Sequence, residues 1–357
     1  MSTTSILFQN TTLGPTELQN HIVMAPLTRS RAIGNTPNAL MATYYGQRAG
    51  AGLIITEGTS PSPNGLGYAR IPGLFHEDHV RGWRLTTEAV HAKGGKIFVQ
   101  LMHTGRVTHA ANLPQGAKVM APSALAAPGQ MWTDANGMES FPVPHEMTEA
   151  QILEAIAEYA SAARLARQAG FDGVELHGAN GYLIDQFFNT ATNQRKDKWG
   201  GSVENRIRFA VEIAKAAANE IGADRIGMRV SPYGVFNGTV ADPAMDDLYS
   251  ALAHELTNIG LVYMHVVDHS SMGAPMVSPT VKAQIRDIFK GKYILSGGYT
   301  LARAEADLAA HKGDLVAFGR QFISNPDLVQ KLKAGTALKT PDDKTFYTPG
   351  EKGYTDY

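Results

Sequence analysis

Short runs of β-branched and other apolar residues recur along the whole chain, separated by longer segments of helical periodicity. The runs are HIVMA at 21–25, LIITE at 53–57, KIFVQL at 96–101, GVEL at 173–176, IGMRV at 226–230, VYMHVV at 262–267, KYILS at 292–296 and LVAFG at 315–319. Each has the length and side-chain character of a buried strand. In the stretch 148–170, Ile152, Ile156, Tyr159, Ala163 and Ala166 form one stripe, with Thr148 placed to cap the start and Gly170 to end it. The stretch 201–222 repeats the arrangement with Ser202 and Gly222. Eight strands alternating with helices imply a parallel sheet, and eight is the number that closes a (β/α)8 TIM barrel. An open, doubly wound sheet is the competitor. Against it, no glycine fingerprint follows the first strand and no linker divides the chain. The expectation is one TIM-barrel domain over residues 1–357.

One connection breaks the rhythm. Between the third strand and the helix at 148, roughly residues 103–147, the loop is far longer than the ~2–6 residues usual for such a connection. It is rich in turn residues, as in NLPQG, APSALAAPGQ and DANG. In a barrel it would lie over the C-terminal mouth as a lid or wall. A loose surface excursion is the alternative, against which stand Met131, Trp132 and Phe141.

Alternation along the strands then selects side chains. If Val174 and Leu176 face the helices, Glu175 and His177 face the barrel axis. By the same rule Val99 and Leu101 point outward with Gln100 inward, and Met228 and Val230 outward with Arg229 inward. Three strands thus send Gln100, His177 and Arg229 toward the C-terminal mouth, where active sites of this fold lie. A buried arginine needs an anionic or electron-rich partner. That partner is either a ligand or a carboxylate such as Glu57 or Glu175. The last two strands end in glycine: Gly297 and Gly298 after the seventh, Gly319 followed by Arg320 after the eighth. Exposed backbone N–H groups, a helix start and an arginine make an anion site, and these two loops are where the fold commonly holds phosphate. A phosphorylated cofactor and a phosphorylated substrate fit equally.

Composition narrows the classes. The 357 residues carry 32 Lys+Arg against 33 Asp+Glu, a net charge of -1, which gives no footprint for nucleic acid. There is no cysteine, so disulfides, thiol nucleophiles and thiolate metal sites are excluded. No apolar stretch approaches the ~18 residues of a membrane span. The start, MSTTSILFQNTTLGP, has no basic region followed by an apolar one. The expectation is a cytoplasmic, monomeric or homodimeric protein acting on a small molecule. HEDH at 76–79 has the letters of a metal site, but its place at a helix start reads as a cap. His265 and His269 read as satisfied core or mouth histidines, and no metal is expected. A phosphate-binding isomerase or lyase would want a lysine or a carboxylate pair at the mouth, which the sixth strand does not supply.

The chain resembles the Old Yellow Enzyme family of FMN-dependent ene reductases nearly end to end. The motifs are MAPLTRSRA (24–32), GLIITEGT (52–59), GYARIPGLF (67–75), VQLMHTGR (99–106), GFDGVELHGANGYLIDQFFN (170–189), RKDKWGGSVENRIRF (195–209), RVSP (229–232), AFGRQFISNPDL (317–328) and GYTDY (353–357). The resemblance implies a barrel holding FMN at its mouth. It implies that Ala25, Pro26 and Gly58 line the flavin ring, that Thr28 bonds it near O4 and that Gln100 holds its pyrimidine edge. Arg229 would lie beside N1 and O2, and Gly297, Gly298, Gly319 and Arg320 would hold the phosphate. A threonine at position 28 is similar to the branch of N-ethylmaleimide reductases. His177 and Asn180 match the substrate-binding pair and Tyr182 the proton donor. Tyr68, Met102 and Tyr347 match pocket walls, Met102 replacing a tryptophan of several relatives. The implied activity is reduction of electron-poor C=C bonds (enones, maleimides, nitroalkenes, with nitro compounds or nitrate esters as further substrates) at the expense of NADPH or NADH. Hydride would leave flavin N5 and Tyr182 would supply the proton.

Overall fold

The computed structural model describes residues 5–357; residues 1–4, the start of the segment read as lacking a leader, lie outside the described residues. Eight parallel strands close into a barrel: β1 (Ile22–Met24), β2 (Leu53–Thr59), β3 (Ile97–Leu101), β4 (Gly173–Gly178), β5 (Ile226–Val230), β6 (Tyr263–Val267), β7 (Lys292–Ser296) and β8 (Leu315–Phe318). Each pairs with its neighbours in chain order, and β8 pairs with β1 to complete the circle. Closure removes the open doubly wound alternative. The outer layer is α1 (Ala39–Gln47), α2 (Glu77–His91), α3 (Glu149–Gln168), α4 (Val203–Ile221), α5 (Met245–Ile259), α6 (Pro279–Ile288), α7 (Leu301–Ala309) and α8 (Leu328–Ala334).

The alternation rule accounts for where each side chain goes. Val99, Leu101, Val174, Leu176, Met228 and Val230 join one core with Tyr159, Ala163 and Ala166 of α3 and Phe209 and Ile213 of α4. A second core fills the barrel with Val23, Leu53, Ile55, Phe98, Tyr263, Ile294, Leu315 and Ala317. Leu13 and Leu18 belong to that inner core. They come from an antiparallel hairpin, Thr11–Leu13 with Thr16–Leu18, that plugs the N-terminal end. Its turn, Gly14, has φ 54°, and a Cβ there would lie 2.4 Å from the Asp224 carbonyl in the loop entering β5. Thr148 caps α3 in a reciprocal box with Gln151, and Ser202 caps α4 through the Asn205 N–H.

The long connection after β3 is ordered by pairing of its own. Met120–Ala121 runs parallel to His145–Glu146, and Gln130–Thr133 forms a hairpin with Gly137–Ser140. Met131 is buried, whereas Trp132, on the opposite face of the same strand, is 55% exposed. Leu113 packs against the cluster of Leu66, Ile71 and Met102, as Tyr68 and Tyr182 do.

The chain end is fastened from the other side. Arg29, Arg31 and Arg48 are among the largest fully buried side chains. Arg29 donates to the carbonyls of Phe346 (3.1 Å) and Gly353 (2.7 Å). Arg31 donates to Thr345 (2.8 Å), Phe346 (2.7 Å) and Lys352 (3.0 Å). Arg48 donates to Phe322 and Ile323, both 2.8 Å. Tyr354 stacks on Tyr44 at 4.0 Å between ring centres.

Candidate active site

Register turns the strand pattern into two layers of side chains. In the lower layer Gln100, Glu175, Gly227 and Tyr263 are successive partners across β3 to β6. Glu175 is wholly buried and accepts three hydrogen bonds: from Gln100 Nε2 at 2.8 Å, Tyr263 Oη at 3.0 Å and His265 Nδ1 at 2.8 Å. The lower layer needs a glycine at position 227, since a Cβ there would lie 2.1 Å from the Tyr263 ring. Because Gln100 gives its NH2 to Glu175, its amide oxygen is what it can offer to the mouth.

The upper layer is His177, Arg229 and His265, again register partners on β4, β5 and β6. Neither Glu57 nor Glu175 forms an ion pair with Arg229: Glu175 pairs with His265, and Glu57 accepts from the Tyr45 hydroxyl and the Arg29 N–H. Arg229 is buried and its Nε has no partner. Burial lowers its pKa, opposed by Glu175, but a guanidinium stays charged in any case. His177 is buried as well, with Nδ1 unpartnered. Burial first, then Arg229, His265 and His269, hold its pKa well below the usual imidazole value, so the ring is neutral and carries one N–H.

After β4 the chain reverses through Asn180 (φ 63°) and Gly181 (φ 74°). The turn rests on the asparagine itself with the glycine after it. Gly178, the other flanking glycine, instead permits close approach: a Cβ there would stand 3.2 Å from the Arg229 carbonyl. Every polar group of Asn180 bar its NH2 is held. Its N–H donates to Ser231 Oγ at 2.9 Å, its carbonyl accepts from Asn237 Nδ2 at 2.8 Å, and its Oδ1 accepts from His269 Nε2 at 2.7 Å. Asp185 accepts the Gly181 N–H at 2.8 Å. Tyr182 follows, its ring edge-on to His177 with centres 5.1 Å apart and its hydroxyl 3.0 Å from that of Tyr68. Burial raises both phenol pKa values, so both stay protonated at neutral pH.

The remaining residues stand around this centre. Met102 is buried against Leu66, Ile71 and Tyr68, and Gly58 makes room for it, since a Cβ there would meet its sulfur at 2.5 Å. Ala25 directly follows β1, its N–H donating to the Phe318 carbonyl at 2.9 Å, with Pro26 and a half-buried Thr28 next along the chain. Gly297 (φ 121°) and Gly298 (φ 62°) leave β7 beside Gly319 and the exposed Arg320 leaving β8. Tyr347 is 60% exposed, close enough to Tyr68 and Tyr182 to act on their electrostatics, its carbonyl accepting from Arg70 at 2.9 Å. Among the described residues no three His, Asp or Glu side chains are grouped to hold a metal ion; His76 caps α2 and His79 is buried against Phe75.

A family model described as the NADH:flavin oxidoreductase / NADH oxidase family matches residues 6–339. The chain belongs to this family. A probable flavin mononucleotide-dependent alkene reductase of Leishmania infantum is 41% identical, over 97% of this chain and 95% of its own. Among solved structures, morphinone reductase superposes with TM-score 0.95 at 42% identity, covering 98% of this chain and 95% of that one. The same enzyme in complex with tetrahydroNAD gives 0.93 at 42% identity, covering 98% and 96%. An old yellow enzyme homologue from Zymomonas mobilis gives 0.94 at 39% identity, covering 98% and 99%. Family membership makes the protein an FMN-dependent oxidoreductase that uses NAD(P)H, and the resemblance seen in its motifs holds over the whole barrel. No helix among the described residues is long and apolar enough to cross a membrane.

Two further groups of side chains belong to the site. Tyr263 and His265 complete the Glu175 cluster, and inward alternation along VYMHVV was the available signal. His269, Ser231 and Asn237 position Asn180 from loops whose paths no periodicity encodes.

Proposed function

We infer that the protein reduces α,β-unsaturated carbonyl compounds and related electron-poor alkenes, with NAD(P)H as the reductant. The observation that carries this reading is the convergence of His177, Asn180 and Tyr182 at one end of β4. Two neutral donors and a protonated phenol stand together on a rigid element, above a buried arginine with a free Nε.

The donor set suits FMN. Arg229 offers an unpartnered positive group where reduced flavin gathers negative charge, and Gln100 offers an amide oxygen to a ring N–H. Thr28 stands at the end of β1 as a hydroxyl for the O4 edge, with Ala25, Pro26 and Gly58 lining the ring. Gly297, Gly298, Gly319 and Arg320 form an anion-binding end suited to the phosphate. FMN held there would supply the hydride chemistry that links the nicotinamide to the alkene.

The chain's own part is polarisation and proton supply. His177 and Asn180 donate hydrogen bonds to the carbonyl or nitro oxygen, which becomes more negative as the β-carbon is reduced; fixed donors therefore favour the transition state. Tyr182 protonates the α-carbon, and the Tyr68 hydroxyl at 3.0 Å steadies the phenolate left behind. Tyr68, Met102 and Tyr347 wall the substrate. The test is Tyr182→Phe: alkene turnover falls by about 10- to 1000-fold, within and somewhat below the general-acid range, while anaerobic bleaching of the yellow protein by NADPH keeps its rate. Equal loss in both half-reactions would remove Tyr182 from the role, and a colourless protein that cannot be loaded with FMN would end the reading.

A further inference from the structure

An amide is nearly symmetric in shape, and its two ends do opposite things. Presented to an anionic oxygen, the NH2 of Asn180 attracts and its C=O repels; only its surroundings decide which end faces the ligand. Here the Oδ1 of Asn180 lies 2.7 Å from Nε2 of His269. A carboxamide oxygen cannot donate, so the histidine nitrogen must, and His269 is therefore the Nε2–H tautomer. Its ring is held edge-on by Phe236 with centres 4.7 Å apart, and Asp268 caps the short turn His269–Met272 that carries it. Burial, then the charge of Arg229, lowers the His269 pKa to about 4, so the ring donates without adding a charge at neutral pH.

We propose that His269 is a positioning residue for substrate binding: its Nε2–H fixes the Asn180 carboxamide so that the NH2, and not the oxygen, meets the substrate's activated oxygen. The proposal rests on the reading of Asn180 as a substrate donor. Removing the hydrogen bond leaves the amide free to turn its oxygen toward the site, so the protein no longer holds the NH2 on the ligand and binding weakens by about the free energy of the lost bond.

The probe is 4-hydroxybenzaldehyde, whose acidic phenol supplies an anionic oxygen, titrated calorimetrically into the FMN-loaded protein. His269→Phe keeps the ring packing and removes the donor; its Kd rises about tenfold, the size expected for one hydrogen bond of ~1.4 kcal/mol. His269→Gln, which retains an N–H donor, stays within about threefold of the parent. In an Asn180→Ala background, His269→Phe changes nothing further, because the group it orients is gone. Asn180→Ala alone tests the underlying reading: if it leaves Kd unchanged, Asn180 is not a ligand and both ideas fall. If Asn180→Ala weakens binding but His269→Phe does not, or if His269→Phe weakens it equally in both backgrounds, only the positioning role falls. Should the phenylalanine variant not fold, 15N NMR of histidine-labelled parent protein decides at neutral pH. An Nε2–H tautomer at His269 is expected, and an Nδ1–H tautomer overturns the proposal.

Discussion

Glu175 is the hub of the lower layer, because a carboxylate with no exposure and three donors sets the orientation of Gln100, Tyr263 and His265. Glu175→Ala would leave Gln100, Tyr263 and His265 each with an unpaired buried donor, at about 1–3 kcal/mol apiece. Loss of soluble protein is the expected outcome. Glu175→Gln is milder. Oε1 still accepts from Gln100, His265 can shift its proton to Nε2 and accept from the new NH2, and the Tyr263 hydroxyl can rotate. What changes is charge: the negative neighbour of Arg229 is gone, so positive potential at the mouth rises and the reduced cofactor is favoured. The flavin midpoint potential of Glu175→Gln should move upward by about 10–30 mV, where ~30 mV corresponds to ~1.4 kcal/mol for two electrons. A downward shift would show that Arg229 does not face the flavin. Alternation alone placed Gln100, Glu175, His177 and Arg229 correctly, since a period of two needs no knowledge of the fold beyond which face is buried. It could not tell that Glu175 would pair with His265 and leave Arg229 free, because that choice depends on register across three strands.

At the scale of elements, the end of β4 and the loop from it into the short helix Leu183–Phe188 hold the three proposed catalytic side chains, and Asp185 ties the turn. Burial raises the Asp185 pKa to about 7, opposed by the hydrogen bond from the Gly181 N–H. In the unfolded chain the group titrates near ~3.9. The folded state therefore binds the proton more tightly, so the contribution of Asp185 is fully present below about pH 4 and is lost as pH rises through 7. Asp185→Asn can still accept from Gly181 but has no proton to lose. Relative to this variant, the parent's thermal midpoint should fall between pH 5 and pH 8.5; a difference that does not change with pH would mean Asp185 is already ionised when folded. The eight strands were legible within two residues at either end because apolar runs bounded by turns leave little choice. The hairpin Thr11–Leu13 with Thr16–Leu18 was not, since three-residue strands rich in threonine show no run, and its role in plugging the barrel depends on contacts with β6 and the approach to β5. Turn chemistry at Asn180 was half legible: the glycine after it favours reversal, but asparagine taking the left-handed conformation itself goes with its bonds to Ser231 and Asn237 in the loop after β5.

Over the whole molecule, residues more than 300 positions apart are joined by Arg29, Arg31 and Arg48, whose guanidinium groups hold the last segment through its backbone carbonyls. Such contacts leave no local trace, because a carbonyl is the same on every residue. The tail does two jobs that separate cleanly. Tyr354 is fully buried, stacked 4.0 Å from Tyr44, with the Arg31 guanidinium 4.7 Å from its ring centre. Tyr347, seven residues earlier, is 60% exposed at the pocket rim. Truncating Tyr354 to alanine opens a cavity the size of a ring and removes an aromatic face from Arg29 and Arg31, at about 3–5 kcal/mol. Truncating Tyr347 removes mostly exposed surface and should cost under about 0.5 kcal/mol. The expected split is a thermal midpoint lower by several degrees for Tyr354→Ala with KM nearly unchanged in the surviving folded protein. Tyr347→Ala should show the reverse: an unchanged midpoint and a raised KM for bulky enones. Equal destabilisation by both would mean that the rim tyrosine is part of the clasp, and the pocket's outer wall would then have to be assigned to Tyr68 and Leu113 alone.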